Sequence, residues 1–396
     1  MAPDRIDPSR AIRVAHVITD LEPAGAEFML ARLVESFAGT SIESVVISLG
    51  TRGPVGERIA SRGVPVFSLG MRPGRPNPYA LWSLIRLIRR ARPAIVQTWL
   101  YHADFAGLLG GALTRVPVIW NIRCAELDPA DHPSSLTPLR HALALASRYP
   151  AAVICNSSAG QRAHEQIGYR PKRWAVIPNG FDTDAFRPQP AARSELRQEL
   201  GLSAAVPLVG LLARFHPMKD QATFLNAAKQ VITALPNVHI VAAGRGVDVA
   251  PSLREFVHGA GLADRVHLLP ERNDSSRFLA ALDVAVSSSY GEAFPNVVGE
   301  AMACGTPCVV TNVGDSAHIV GDTGVIVPPR DPSALAAGIL DVLREDEAAR
   351  AARGRAARAR ILSEFSLQQA AGRYEALYRD VTGQQVSAPD EFVCAE

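Results

Sequence analysis

The run VAVSSSYGEAFPNVVGEAMACGTPCVVT, residues 284–311, decides the architecture. It opens on a short β-rich apolar run, Val284–Ser287, and closes on another, Cys308–Thr311. Between them lie a Ser/Gly loop and the stretch Asn296–Ala303, which reads as a helix with Pro295 as an early helix residue. Strand, helix and strand in this order form a crossover unit, and repetition of that unit builds a parallel sheet covered on both faces.

Working outward, the same alternation recurs along the chain. Towards the C-terminus, Leu367–Asp380 reads as a closing helix with Tyr374, Leu377 and Tyr378 on related faces. Towards the N-terminus, Leu208–Ala213 and Val238–Ala243 read as strands and Gln221–Ala234 as a helix. Upstream of a turn-rich stop, Ile177-Pro178-Asn179-Gly180, a second set begins with the strand Ile12–Thr19. A helix from Ala26 follows, with Met29, Leu30, Leu33, Val34 and Phe37 on one face. Strands are predicted at Ser44–Leu49, Val64–Leu69, Ala94–Thr98, Val118–Ile122 and Ala152–Cys155, and helices at Val55–Arg62, Tyr79–Arg92 and Phe105–Thr114. The fold class is therefore α/β, with two doubly wound, Rossmann-like domains. The first spans 1–180, completed by the closing helix 366–382; the second spans 181–365; residues 383–396 form a flexible tail. Such sheets bind ligands at the carboxyl ends of their strands, which places the site between the domains.

Length agrees with two domains, since 396 residues exceed the ~250–300 at which a single core stops growing. The net charge of +2 excludes strong nucleic-acid binding on bulk electrostatics. It hides an asymmetry: residues 1–185 carry 21 Lys+Arg against 15 Asp+Glu, whereas 186–396 carry 20 against 24. The first half should meet the more acidic partner, a membrane surface included. Only three of the basic residues are lysines, Lys172, Lys219 and Lys229. The five cysteines, at 124, 155, 304, 308 and 394, form no CxxC pair and read as ordinary buried thiols in a reducing compartment. The leading MAPDRIDPSR does not read as a signal peptide, and no run approaches the ~18 apolar residues of a spanning helix. A cytoplasmic protein is expected, with peripheral contact to the inner face of the membrane through its first domain.

Three loops carry the chemistry. In EAFPNVVGE, Glu292–Glu300, backbone amides at Ala293, Phe294 and Asn296 around Pro295 can bind sugar hydroxyls or an anion, and Glu300 can accept two hydroxyl hydrogen bonds. In LLARFHPMKDQATFL, residues 211–225, Arg214 and Lys219 straddle the loop after a strand, and two cations there suit a diphosphate. In EPAGAE, Glu22–Glu27, Gly25 lets a phosphate or sugar come close to a helix N-terminus. By spacing alone, solvated acids and surface cations would fit the first two loops nearly as well.

In this order the runs resemble the retaining glycosyltransferases of family 4, glycosyl transferases group 1, with the GT-B fold. The resemblance rests on Gly25-Ala26-Glu27, Ile177-Pro178-Asn179-Gly180, Arg214 with Lys219, Glu292 through Glu300, and Phe365-Ser366 followed by Tyr374 and Tyr378. It implies a nucleotide-sugar donor, with Arg214 and Lys219 on its diphosphate and Glu300 on its ribose. Glu292 and the amides after it would hold the transferred sugar, Gly25 would meet the donor from the first domain, and Asn179-Gly180 would mark the hinge. The acceptor would be a sugar or a lipid-linked sugar. Two features depart from the family pattern: Ala24 precedes Gly25 where a second glycine is frequent, and Arg123 stands where many members place a histidine near the reacting centre. His102, in TWLYHAD, is the next polar cleft candidate; a satisfied loop histidine reads as well.

Other signals are set aside. Asp182-Thr183-Asp184 reads as turn and capping chemistry rather than a metal-binding DxD. Gly244-Arg245-Gly246 lacks the third glycine of a dinucleotide fingerprint. Arg86–Arg92 and Arg350–Arg360 read first as solvated helix faces, the former also as a surface for anionic lipid. Transfer without a metal cofactor is expected, because cations and helix ends can take the leaving-group charge. A sugar-nucleotide epimerase of the same fold and a non-catalytic nucleotide-sugar binder are the alternatives.

Overall fold

The computed structural model describes residues 11–71, 77–125 and 136–384. Thirteen strands lie in these residues. The first sheet holds β1 (Ile12–Ile18), β2 (Ile42–Ser48), β3 (Val66–Ser68), β4 (Ile95–Trp99), β5 (Val118–Ile122), β6 (Ala152–Cys155) and β7 (Trp174–Val176). The second holds β8 (Leu208–Leu212), β9 (His239–Ala243), β10 (Val266–Leu269), β11 (Val284–Ser287), β12 (Cys308–Thr311) and β13 (Val325–Val327). Strand order is β3-β2-β1-β4-β5-β6-β7 in one and β10-β9-β8-β11-β12-β13 in the other, and all pairings are parallel. The expected pair of doubly wound Rossmann-like domains is what the chain forms.

Both faces of each sheet are covered, which is why the strands read as continuous apolar runs. In β1, Ile12, Val14 and Ile18 enter one core layer while Ala15 and Val17 enter the other. In the second sheet Leu208 and Val241 point to one side, and Val209 and Ile240 to the other. Cys155, Cys304 and Cys308 are buried and Cys124 is half-buried. Burial pushes the thiols of Cys304 and Cys308 up to about 12, so both are inert packing groups.

The order of strands reverses between β1 and β4 in the first sheet and between β8 and β11 in the second. Loops leaving such adjacent strands to opposite sides open a crevice. The crevice loops are therefore those after β1, β4, β8 and β11, which carry Gly25, His102, Lys219 and Glu292.

The chain crosses between lobes twice, side by side. Phe181 N–H donates to Phe365 O, and Leu367 N–H donates to Phe181 O, both at 2.9 Å. The closing helix Leu367–Val381, with Ser366 capping Gln369 N–H at 3.3 Å, packs Ala370, Ala371, Tyr374, Leu377 and Tyr378 into the first lobe's core. Its tyrosines are polar anchors: Asn121 Nδ2 donates to Tyr374 Oη at 3.0 Å, and Tyr378 Oη donates to Gln97 Oε1. Of the expected tail, 385–396 lies outside the described residues, as do residues 1–10.

Candidate functional site

The second lobe supplies most of the polar groups. After β8 the chain makes a 3₁₀ turn at Pro217–Lys219, held by Met218 N–H donating to His216 Nδ1 at 3.3 Å. The turn is fastened to the loop after β11 twice: Ser288 Oγ donates to Lys219 O at 2.8 Å, and Tyr290 N–H to Met218 O at 3.0 Å. These bonds bring Lys219 Nζ onto Glu292 Oε1, which also accepts from Ser289 Oγ at 2.8 Å. The two residues, expected to have separate tasks, are each other's counter-ion. Arg214, two residues after β8 in the same loop as Lys219, is exposed, and its side chain has no partner among the described residues.

The loop then enters the helix Asn296–Ala303. Pro295 is the residue that precedes the helix (φ −73°, ψ 102°), one position earlier than its sequence reading. Phe294 is buried, its ring 6.0 Å from both Phe181 and Phe365 between centroids, so only its backbone faces outward. The amides of Ala293, Phe294 and Asn296 donate to no protein acceptor among the described residues. Gly314 fixes the loop from behind. It has φ +55°, and a Cβ there would stand 2.3 Å from Glu292 O and 2.7 Å from Ala293 O. Gly314→Ala should cost about 1–3 kcal/mol through that strain and, by moving Glu292, weaken donor binding about tenfold. Melting and titration calorimetry check this, and parental values in both would refute the placement.

From the first lobe, Gly25 opens the helix Gly25–Ser36. A Cβ on Gly25 would lie 3.8 Å from Asn296 Nδ2, so one helix N-terminus from each lobe meets its counterpart across the seam. Asn179 Nδ2 donates to Asn296 Oδ1 at 2.6 Å, and Arg123 Nη2 donates to Asn179 Oδ1. The Arg123 guanidinium lies 5.3 Å over the Trp99 ring and beside the Tyr374 hydroxyl, and among the described residues its buried Nε and Nη1 make no close hydrogen bond. Burial lowers its pKa. Glu27 is also buried, with Oε2 unpartnered, and burial raises its carboxyl above the usual range. His102 is exposed on the first turn of the helix Tyr101–Thr114, and among the described residues no contact joins it to this chain of bonds.

Two cross-lobe contacts escaped sequence reasoning. Arg32 Nη2 pairs with Glu300 Oε1 at 3.1 Å. Asp315, 4% exposed, accepts from Ser158 N–H at 2.8 Å and Ala159 N–H at 3.0 Å. That carboxylate therefore caps a first-lobe helix, Ser158–Gln166, from the second lobe, complementing the helix dipole. Asp182 Oδ1 accepts from the amides of Asp184 and Ala185 at 3.1 and 2.9 Å, the turn chemistry read for that acid.

Residues 23–185 match the family model for Glycosyltransferase Family 4, and residues 206–345 match that for Glycosyl transferases group 1. A D-inositol 3-phosphate glycosyltransferase of Geodermatophilus obscurus is 34% identical over 195 residues, 46% of this chain and 43% of the relative. One of Xylanimonas cellulosilytica is 29% identical over 279 residues, 67% of each. The chain thus spans less than half the length of the first of these relatives. The Anabaena protein HepE in complex with UDP superposes with a TM-score of 0.81 at 25% identity, over 93% of this chain and all of that one. Its UDP-glucose complex gives 0.78 at 25% over 92% and 99%. The two facing Rossmann-like domains are the GT-B fold.

Proposed function

The chain belongs to the family 4, group 1 glycosyltransferases, one domain model on each lobe, and from that premise we propose that it moves a hexose-type sugar from a nucleotide-sugar to a hydroxyl acceptor with retention of configuration. A UDP-sugar is favoured over a GDP-sugar, since HepE, the structural relative at 25% identity, is seen with UDP and UDP-glucose. The observation that carries the reading is the meeting of the Gly25 and Asn296 helix N-termini beside Lys219 and Glu292. A helix N-terminus from each lobe meets there, and Glu292, paired with Lys219, stands four residues before Asn296.

In the reaction, the bond from the anomeric carbon to the diphosphate oxygen breaks. A bond to the acceptor oxygen forms on the same face, and the acceptor proton passes to a phosphate oxygen of the departing nucleoside diphosphate. Charge growing on that phosphate is taken by Arg214, Lys219 and the amides at Gly25, with no metal in the step. Glu300 accepts from the ribose diol. Glu292 and the amides of Ala293, Phe294 and Asn296 hold the sugar hydroxyls. Arg123 and His102 lie on the acceptor side, and closure about Asn179-Gly180 excludes water.

The acceptor is a sugar or lipid-linked sugar of bacterial polysaccharide or glycolipid synthesis, phosphate-bearing in keeping with the basic first lobe. No described helix is long and apolar enough to cross a membrane. The helix Pro78–Ala91 exposes Tyr79 and Trp82, with Arg86 stacked 5.2 Å over Trp82 and Arg89 and Arg90 nearby, a face suited to anionic lipid at the inner surface of the membrane.

A thermal-shift screen of UDP-, GDP- and ADP-sugars, followed by NMR of the product's anomeric centre, tests this. A UDP-sugar should raise the melting temperature and yield a product with the donor's configuration. An epimer formed from UDP-GlcNAc alone would favour the epimerase, and binding without turnover the non-catalytic binder.

A further inference from the structure

Glu300 sits one turn inside the helix Asn296–Ala303, and its carboxylate has one protein partner among the described residues. That partner, Arg32, comes from the other lobe. It lies about two turns along the helix that Gly25 opens, its guanidinium 5.9 Å over the Phe186 ring. Side-chain exposures are 18% for Arg32 and 13% for Glu300. The two helices that meet at their N-termini are therefore tied a second time further along.

Among the described residues, no other charged group packed around the Glu300 helix pairs with it. On the helix Ser275–Ala280, Arg277 is committed to Asp274, Glu195 and Glu199. On Glu347–Glu364, Arg358 donates to the carbonyls of Thr183, Phe186 and Ala303. His318, on Ser316–Val320, rests edge-on against Phe365, and Cys304 lies one turn along Glu300's own helix. Burial pushes the Glu300 carboxyl up, and Arg32 alone opposes it. Arg32 occupies one lone-pair site of Oε1, leaving the rest of the carboxylate able to accept a vicinal diol.

We propose that Arg32 is a positioning residue of the donor site: acting through Glu300, it holds a carboxylate aimed at the ribose, so the ribose subsite is complete only when the first lobe is docked on the second. The inference rests on the assignment of Glu300 to the ribose. It couples donor affinity to the docking of the lobes through one of the contacts that join them.

Calorimetric binding of UDP and 2′-deoxy-UDP to the parent, Arg32→Gln and Arg32→Lys between pH 6 and 8 tests it. The parent should prefer UDP by about tenfold, the worth of a hydrogen bond to a charged group. Arg32→Gln should lose that preference. Its UDP affinity should fall further as the pH drops, because an unopposed carboxyl takes up a proton at higher pH and can no longer accept from both hydroxyls. Arg32→Lys should restore affinity to within about threefold of the parent, the cation being kept and the fork lost. A parent that binds both nucleotides equally removes the Glu300 assignment, and this inference with it. A parent that discriminates, beside an Arg32→Gln variant with the same preference and pH profile, overturns the role of Arg32 alone.

Discussion

Lys219→Ala is expected to lower turnover by about 10²–10³ while leaving the fold intact, the magnitude found when one preorganised group that stabilises developing charge is removed. Lys219 has two jobs in the geometry. It neutralises Glu292, and in the proposed reaction it would meet the diphosphate as negative charge grows there. Removal leaves the largely buried Glu292 carboxylate without its cation, so the variant should also bind the donor more weakly through like-charge repulsion. The double variant Lys219→Ala/Glu292→Gln separates the two effects. Removing the repelling charge should recover donor affinity, but turnover should stay low because nothing replaces the ammonium at the leaving group. Arg214→Ala should cost a similar factor and is the cleaner substitution, since among the described residues its exposed side chain holds no partner whose loss could disturb the loop. Steady-state kinetics with a saturating nucleotide-sugar decides, and near-normal transfer by both single variants would remove the pair from the chemistry.

The fold was legible where apolar runs were long and buried on both faces. β1, β4, β5, β8, β9, β11 and β12 fall within a residue or two of their sequence readings. β7 and β13 were not read, because WAV and VIV are three-residue edge strands without a second period to mark them. For the same reason Val64–Leu69 shrinks to β3, Val66–Ser68. The loops bearing Gly25, Lys219 and Glu292 were visible because glycine, proline and a rare lysine mark them locally. Their pairings were not. Arg32 and Glu300 are separated by 268 positions, and Asp315 and Ser158 by 157. Arg32 reads as one more arginine on an amphipathic helix until the second lobe is docked beside it. Asp315, in the turn Gly314-Asp315-Ser316, looks like a local cap, and in fact it caps a helix of the other lobe. The charge asymmetry read from composition gains a local meaning here: Arg32 of the basic half is tied to an acid of the acidic half.

Arg123→Met should separate stability from activity in a way a purely structural arginine could not. Of the three nitrogens of Arg123, Nη2 is satisfied by Asn179, whereas among the described residues the buried Nε and Nη1 make no close hydrogen bond. Buried donors without acceptors cost about 1–3 kcal/mol each, and an ion held out of water costs more unless it is paired. Against this stand the bond to Asn179, the neighbouring Tyr374 hydroxyl and Glu27 carboxylate, and the face of Trp99, the last of which methionine can still cover. The variant should therefore melt within about 1 kcal/mol of the parent, or above it. Transfer should fall by about 10²-fold, because two donors fixed in place at the end of β5 are what an acceptor oxygen or a departing phosphate would meet. Arg123→Lys should rescue little: an ammonium cannot hold Asn179 and also present two donors in a fixed plane. Glu27, whose unpartnered carboxylate oxygen is buried nearby, gives a second check. If Arg123 is the cation that compensates it, Glu27→Gln should enlarge the stability gain of Arg123→Met, because no attraction is then lost with the guanidinium, without restoring transfer. A methionine variant several kcal/mol less stable than the parent would make Arg123 a packing residue, and one with parental transfer would leave its two free donors without a role in the reaction.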